Sequence, residues 1–298
     1  MSSGLILFNK SAGITSFDSL RDIKRKLGTG KVGHTGTLDK FAQGLLIVLT
    51  GKALKLSKYF SACDKKYIGK IHFGIETDTL DPEGKIIAQA ELPSKEIIEQ
   101  VLPQFTGDIM QSPPSYSAIR LNGKRASDLV RSGKEPEMKK RPVTIYKLEL
   151  LNWNSPFAEI YVHCSSGTYI RSLTRDIALA AGSRAHLCEL TRTHVGEFNI
   201  EDSSNLQPID KSVINKLGMP WFEVEQHEVE HILHGKPLDQ ILINKTLFSS
   251  NFSVPPCYEP FGSMGVKSFN QIAAIFCKDT FIAVVEKIDN KCKYGFVM

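Results

Sequence analysis

Asp39 is the carboxylate whose setting first suggests chemistry. It ends the run Gly33-His34-Thr35-Gly36-Thr37-Leu38-Asp39, which overlaps a glycine-rich loop from Gly28 to Gly36. Glycines let a chain turn sharply and approach a ligand closely, so an acid delivered by such a loop can face a cleft. A plainer use for the same acid is to cap a helix over Phe41–Leu49, since Asp is among the best N-cap residues. The residues alone leave both uses open. Other constellations fall away. Gly28-Thr29-Gly30-Lys31 hints at a phosphate loop, but Arg25 stands where the first glycine belongs and Val32 where a hydroxyl would meet Mg²⁺. No G-x-G-x-x-G follows a strand, which argues against a dinucleotide fold. Thr77-Asp78-Thr79-Leu80-Asp81-Pro82-Glu83-Gly84 lacks the ligand spacing of a calcium loop and reads as an Asx-type turn. The histidines show no H-E-x-x-H pair, and no G-x-S-x-G anchors a hydrolase triad.

What remains is a set of acids, aromatics and arginines on separate segments, which only the fold can gather. Leu5–Phe8 predicts a buried strand. Ser16 reads as an N-cap, with Phe17, Leu20, Ile23 and Leu27 as a helical stripe ended by Gly28. Leu45–Leu49 is a short apolar run, Leu54–Phe60 looks helical, and Tyr67–Phe73 alternates like a strand. Ser94 caps a helix whose apolar face is Ile97, Ile98, Val101, Leu102 and Phe105. Residues 111–142 read as a long inserted loop with a short helix, and loops of that length usually carry function. Val143–Leu151, Ala158–Cys164 and His186–His194 predict strands, and Tyr169–Ala181 a helix. Strands outnumber helices without strict βαβ order, so the expected fold is α+β, a mostly antiparallel sheet with flanking helices. Near Ser203–Leu217 the character changes. Residues 1–221 are expected to form one domain and 222–298 a small β-rich one, with apolar runs at Ile241–Ile243, Ile272–Phe276 and Phe281–Val285.

The net charge of +5 is mild, but its distribution is not even. Between Arg120 and Arg141 lie eight cations against three acids, and Arg21, Lys24, Arg25, Lys26 and Lys31 face only Asp22 between Arg21 and Lys31. Clustered positive charge attracts a polyphosphate through counterion release; a solvated surface loop is the plainer account. The six cysteines form no C-x-x-C pair, so no metal or redox site is indicated. Leu5–Phe8 is too short for a signal peptide, and no apolar stretch approaches a membrane span. A reducing cytoplasm is the expected compartment.

Several segments together carry a resemblance. Gly33–Asp39 is similar to the motif around the catalytic aspartate of the TruB family, bacterial synthases that form pseudouridine at position 55 in the tRNA T-loop. Asn9–Ser16 resembles the family's K-P-x-G-x-T-S, Lys66-Tyr67 its strand start, Thr77-Asp78-Thr79-x-Asp81 its T-D-T-x-D turn, and Gln111–Ala118 its Q-x-P-P-x-Y-S-A. Arg141-Pro142-Val143, Gly167–Leu173, Ala185-His186-Leu187 and Leu190-Thr191-Arg192-Thr193 follow in the family's order. The departures are Ser11 for the usual proline and Lys40-Phe41-Ala42-Gln43-Gly44 for the commoner P-L-A-T-G. Beyond residue 200 the match is thin; His234-Gly235-Lys236-Pro237-Leu238 and Phe281–Val285 are compatible with a PUA-type RNA-binding domain.

The resemblance implies an isomerase that moves uracil from N1 to C5 attachment, needing no cofactor and no metal. It puts the nucleophile on Asp39, a charge partner on Arg171 and base stacking on Tyr67, whose hydroxyl would also assist proton removal from C5. Tyr169 and Leu190 would line the uracil pocket and His34 would contact the extruded nucleotides. Asp78 and Asp81 would order their turn, and Lys10 would brace the core near Tyr67. Burial would raise the Asp39 pKa and Arg171 would lower it again. The expected partner is the tRNA T stem-loop, closed over by the basic 111–142 loop. No membrane association is expected, and a monomer is, since no coiled coil or long apolar edge is evident. Two alternatives share the scaffold: an RNA-binding or RNA-folding module in which catalysis is dispensable, and a synthase for another RNA.

Overall fold

The computed structural model describes residues 3–236, 272–288 and 291–298. The expected apolar run Ile241–Ile243, together with Pro237-Leu238 and Cys257, lies outside the described residues.

Strands β1 (Gly4–Lys10), β2 (Val32–His34), β3 (Gln43–Thr50), β4 (Lys65–Phe73), β5 (Ile75–Thr77), β6 (Ile86–Gln89) and β7 (Gly107–Gln111) occupy the first third of the chain. They are followed by β8 (Arg120–Leu121), β9 (Lys124–Arg125), β10 (Arg141–Asn154), β11 (Phe157–Cys164), β12 (Ala185–Val195) and β13 (Phe198–Asn199). A nine-stranded sheet has the spine β1-β3-β12-β4-β11-β10-β7, with β2 added to β3 and β13 to β12. Its pairings are antiparallel except β3 with β12. The helices are α1 (Ser16–Leu27), α2 (Ser57–Ala62), α3 (Lys95–Val101), α4 (Ala126–Arg131), α5 (Ile170–Ala180), α6 (Lys211–Lys216) and α7 (Gln226–Leu233). This is the expected α+β architecture. Among the described residues no helix is long and apolar enough to cross a membrane, and no cluster of three or more His, Cys, Asp or Glu side chains could hold a metal.

The apolar runs of β1 and β3 are covered on both faces. Leu5, Leu7, Leu45, Ile47 and Leu49 point into one core, while Ile6, Leu46 and Val48 point the other way onto Leu20, Ile23 and Val32. That two-sided burial explains a continuous rather than alternating hydrophobic pattern. It also settles Phe41–Leu49: the segment runs into a strand, so Asp39 caps no helix there. In β4, Tyr67, Ile71 and Phe73 face a second core closed by α3 and α5.

Two details of α1 depart from expectation. Thr15, not Ser16, accepts the capping hydrogen bond from Asp18 N–H. Phe17 is 68% exposed, because Leu20 and Ile23 already fill the buried stripe. The 111–142 insertion holds α4 as expected, but also the β8–β9 hairpin, turned at Asn122-Gly123 with positive φ at both residues. Asn-Gly is the preferred pair for a type I′ turn.

The remaining strands, β14 (Trp221–Glu223), β15 (Ile272–Cys277), β16 (Thr280–Ile288) and β17 (Lys291–Val297), form a separate four-stranded sheet. The expected boundary at 221/222 falls inside β14. One face of this sheet packs with α7 around Phe222, Val229, Ile232 and Ile275. The other face joins the first core: Ala274, Phe276, Phe281, Val284 and Phe296 are in one cluster with Leu5, Leu45, Tyr59 and Phe60.

Candidate active site

The segment that carries Asp39 is fastened before the acid is reached. Lys10, at the end of β1, has a fully buried side chain whose ammonium donates to the carbonyls of Ile14 and Ala42, both at 2.7 Å. It therefore braces the Asp39 segment from beneath, more directly than it braces Tyr67. Ser16 Oγ donates to Leu38 O and accepts from Leu38 N–H, each at 2.9 Å. Gly44 then leaves the loop at φ 107, where a Cβ would lie 2.3 Å from Arg192 O across the parallel β3–β12 pairing. Only glycine meets both demands.

Arg171, in the first turn of α5, is the hub. Its Nε lies 2.9 Å from Asp39 Oδ2 and its Nη2 donates to Asp39 Oδ1 at 3.3 Å. Nη1 donates to Thr79 O at 2.7 Å and Asp81 Oδ2 at 3.3 Å, and Nη2 also reaches Tyr116 O at 3.0 Å. One planar guanidinium thus ties four segments together, which suits arginine's fixed fork of donors. Asp81 accepts from Thr79 Oγ1 and from Glu83 N–H, and Asp78 accepts from Lys85 N–H, so both acids order the turn. Asp81 does more than was expected of it, since it shares the Arg171 charge with Asp39. Lys40, the unusual cation beside Asp39, is ion-paired to Glu83 at 3.0 Å.

Asp39, Tyr67, Tyr169, Arg171 and Leu190 line one cleft of about 550 Å³, together with Lys65, Tyr116, Arg141 and Arg192. The volume is in the range of small-ligand sites. Asp39 keeps 37% of its side-chain exposure because it faces the opening, while the walls crowd it elsewhere. Burial raises its pKa above the ordinary 3.8; Arg171 pulls it down, and Asp81 and Glu83 push it up. The net direction is upward, so the cation does not fully offset desolvation. Tyr67 is buried, and burial pushes its phenol up to about 12 despite the opposing effect of Arg192. Tyr169 is clamped by Gln111, whose amide accepts from Tyr169 N–H at 2.8 Å and donates to Tyr169 O at 3.1 Å. The Arg141 guanidinium lies 4.8 Å from the centre of the Tyr169 ring.

His34 stands apart from this group. It sits in β2 opposite Val48, and the cleft is lined from Thr35 onward. Its Nδ1 is buried without a hydrogen-bond partner among the described residues. Sequence reasoning assigned no role to Arg192, Gln111 or Tyr116. Arg192 donates to Leu45 O at 2.8 Å and Gly36 O at 3.1 Å, anchoring both ends of the Asp39 segment. The motifs that contain these residues were the only signal that could have flagged them.

A model of the TruB family pseudouridylate synthase N-terminal domain matches residues 24–170. The tRNA pseudouridine synthase B of Borreliella burgdorferi (strain ZS7) is 42% identical over 242 residues, covering 79% of this chain and 86% of that protein. The chain belongs to the TruB family. As a TruB-family member it is an RNA-modifying isomerase, a pseudouridine synthase. The tRNA pseudouridine synthase B of Clostridium kluyveri is 40% identical over 256 residues, covering 82% of this chain and 88% of that protein. In fold, the TruB-family chain resembles a chain in the crystal structure of a Cbf5-Nop10-Gar1 complex, with TM-score 0.64 and 24% identity over 96% of this chain and 78% of that one.

Proposed function

We propose that this chain converts the uridine at position 55 in the T-loop of tRNA to pseudouridine, with Asp39 as the nucleophile. The observation that carries the proposal is the Asp39–Arg171 pair in a cleft walled by Tyr67, Tyr116 and Tyr169. The N1–C1′ bond breaks, uracil turns, a C5–C1′ bond forms, the C5 proton leaves and N1 takes up a proton. The atoms of the nucleotide are conserved, so no cosubstrate is required. A carboxylate can carry the detached state through a covalent intermediate. Arg171 lowers the Asp39 pKa and so opposes the rise that burial causes.

The target base must leave its stack, at a cost of about a few kcal/mol. Tyr67 and Tyr169 offer rings that offset this, and Leu190 supplies the apolar wall. Tyr67 is a neutral phenol at neutral pH, so it can take the C5 proton only by giving up its own. Arg125, Arg131 and Arg141 line the same cleft from the inserted 111–142 segment, placing positive charge where RNA phosphates would pass. A single copy of the chain carries all of these groups, which favours a monomer. The sheet β14–β17 enters the proposal as the PUA-type RNA-binding unit.

Incubation of the full chain with tRNA transcripts, followed by mapping of modified uridines, tests the proposal. Pseudouridine is expected at position 55. Asp39→Asn is expected to bind tRNA and yield no product; normal turnover by that variant would remove Asp39 from the nucleophile's role. Modification of ribosomal RNA alone would overturn the substrate.

A further inference from the structure

The chemistry of the cleft leaves one feature unused. The outward face of α1 carries Phe17, 68% exposed, together with Arg21, Lys24 and Arg25. At the helical period, Phe17, Arg21 and Lys24 fall on one line and Arg25 flanks it. Lys24 Nζ lies 5.1 Å from the centre of the Phe17 ring. The Phe17 ring takes no part in the core beneath α1 and lies against the Lys24 ammonium. The two arginines are 76% and 80% exposed and, among the described residues, are ion-paired with Asp18 and Asp22 on the same helix. Exposed pairs of this kind contribute little, so both guanidinium groups can turn to a stronger anion.

The position of this face matters as much as its composition. Phe17 follows Ser16, whose hydroxyl is bonded both ways to the backbone of Leu38, the neighbour of Asp39. Gly13 N–H donates to Lys40 O on the other side of the acid, and Lys40 lines the cleft. The first turn of α1 is therefore fixed beside the nucleophile's own segment. An exposed ring among cations is the pattern of a stacking platform with a backbone-holding rim.

We propose that the outer face of α1 is a second RNA-contact surface, on which Phe17 stacks an unpaired base while Arg21, Lys24 and Arg25 hold neighbouring phosphates of the same substrate RNA. The inference rests on the proposed action on tRNA and extends it from the flipped uridine to nucleotides outside the cleft. An apolar partner protein would use Phe17 but not the cations, and a membrane would use both without regard to RNA.

The test uses the full chain, a tRNA transcript, and the variants Phe17→Ala, Phe17→Trp and the triple Arg21→Gln, Lys24→Gln, Arg25→Gln. Lys95→Gln, a change on α3 away from both surfaces, controls for net charge. Fluorescence anisotropy gives Kd at several salt concentrations, and single-turnover assays give the rate at saturating RNA. Phe17→Ala is expected to weaken binding about five-fold or more, with recovery in Phe17→Trp. The triple variant is expected to lower the salt slope by about two to three. Saturated rates are expected to stay at the wild-type value, since no cleft residue is changed. Kd and salt slope indistinguishable from those of Lys95→Gln would overturn the proposal, as would equal losses with anionic vesicles in place of RNA. If the wild type binds tRNA but modifies none, the functional proposal fails while the binding series still decides the role of α1.

Discussion

Asp39, the proposed nucleophile, is an acid whose burial costs stability. Its pKa is raised in the folded chain, so folding favours the protonated form. As pH rises from the ordinary value of 3.8 through the folded value, stability falls, and the full cost is present above the folded value. Asp39→Asn is therefore expected to unfold at a temperature equal to or above wild type while losing product formation. The acid limb of the kcat profile is expected to report an apparent pKa above the ordinary carboxylate value. Arg171→Lys is expected to move that limb upward and lower kcat by about a hundred-fold or more, because one ammonium cannot reproduce the guanidinium's contacts to Asp39, Asp81, Thr79 and Tyr116. Arg171→Ala is expected to destabilise by about 3–5 kcal/mol in urea denaturation, as it strands partly buried carboxylates. The acid and its cation were legible because both sit in recognisable motifs. The upward net shift was not, since it depends on Asp81 and Glu83, which only folding brings near.

At the scale of elements, helices and strands were read well where one face is exposed and poorly where neither is. The alternation of β4 and the glycine stop of α1 were visible in the sequence. The run Leu45–Leu49 was ambiguous because strands covered on both faces lose their period. Ser16 looked like a cap, yet its hydroxyl serves Leu38, a partner distant in sequence that local rules cannot foresee. The β8–β9 hairpin was missed although Asn122-Gly123 announced it, because charge and glycine content suggested only a loop. The element that links the parts is α2. Its Ser61 Oγ donates to Thr35 O in the motif that leads to Asp39, and its Tyr59 hydroxyl donates to Glu286 on β16 at 2.9 Å. Lys58 is ion-paired to the same carboxylate. Burial would raise the Glu286 pKa, but hydrogen bonds from Lys58 and Tyr59 prevail and lower it. A lowered folded value means stability present above the ordinary 4.5 and lost as pH falls through the folded value. Glu286→Gln is expected to flatten that acid loss and to lower stability at neutral pH by about 1–3 kcal/mol, checked by urea denaturation at pH 3 to 7.

Over the whole molecule, the uneven charge seen in the sequence resolves into two places. One is the cleft wall formed by the 111–142 insertion, and the other is the outer face of α1. What the sequence could not convey is how the C-terminal sheet is attached. A composition change near residue 203 suggested a boundary, yet Phe276, Phe281 and Phe296 share a core with Leu5, Leu45 and Phe60. Removal of residues 222–298 is expected to uncover that core and give an insoluble or strongly destabilised catalytic part. Solubility and circular dichroism of the 1–221 fragment would show this, and a soluble fragment with native unfolding temperature would refute it.

The shared core also sets an order of events during synthesis. Leu5 leaves the ribosome long before Phe296, yet both close the same cluster. The strands that hold Asp39 must wait, with one apolar face open, until the C-terminal sheet has been made. A ribosome that stalls or terminates early would release a chain bearing the whole TruB motif set but an unsealed core. Such a chain would expose apolar surface to chaperones and proteases.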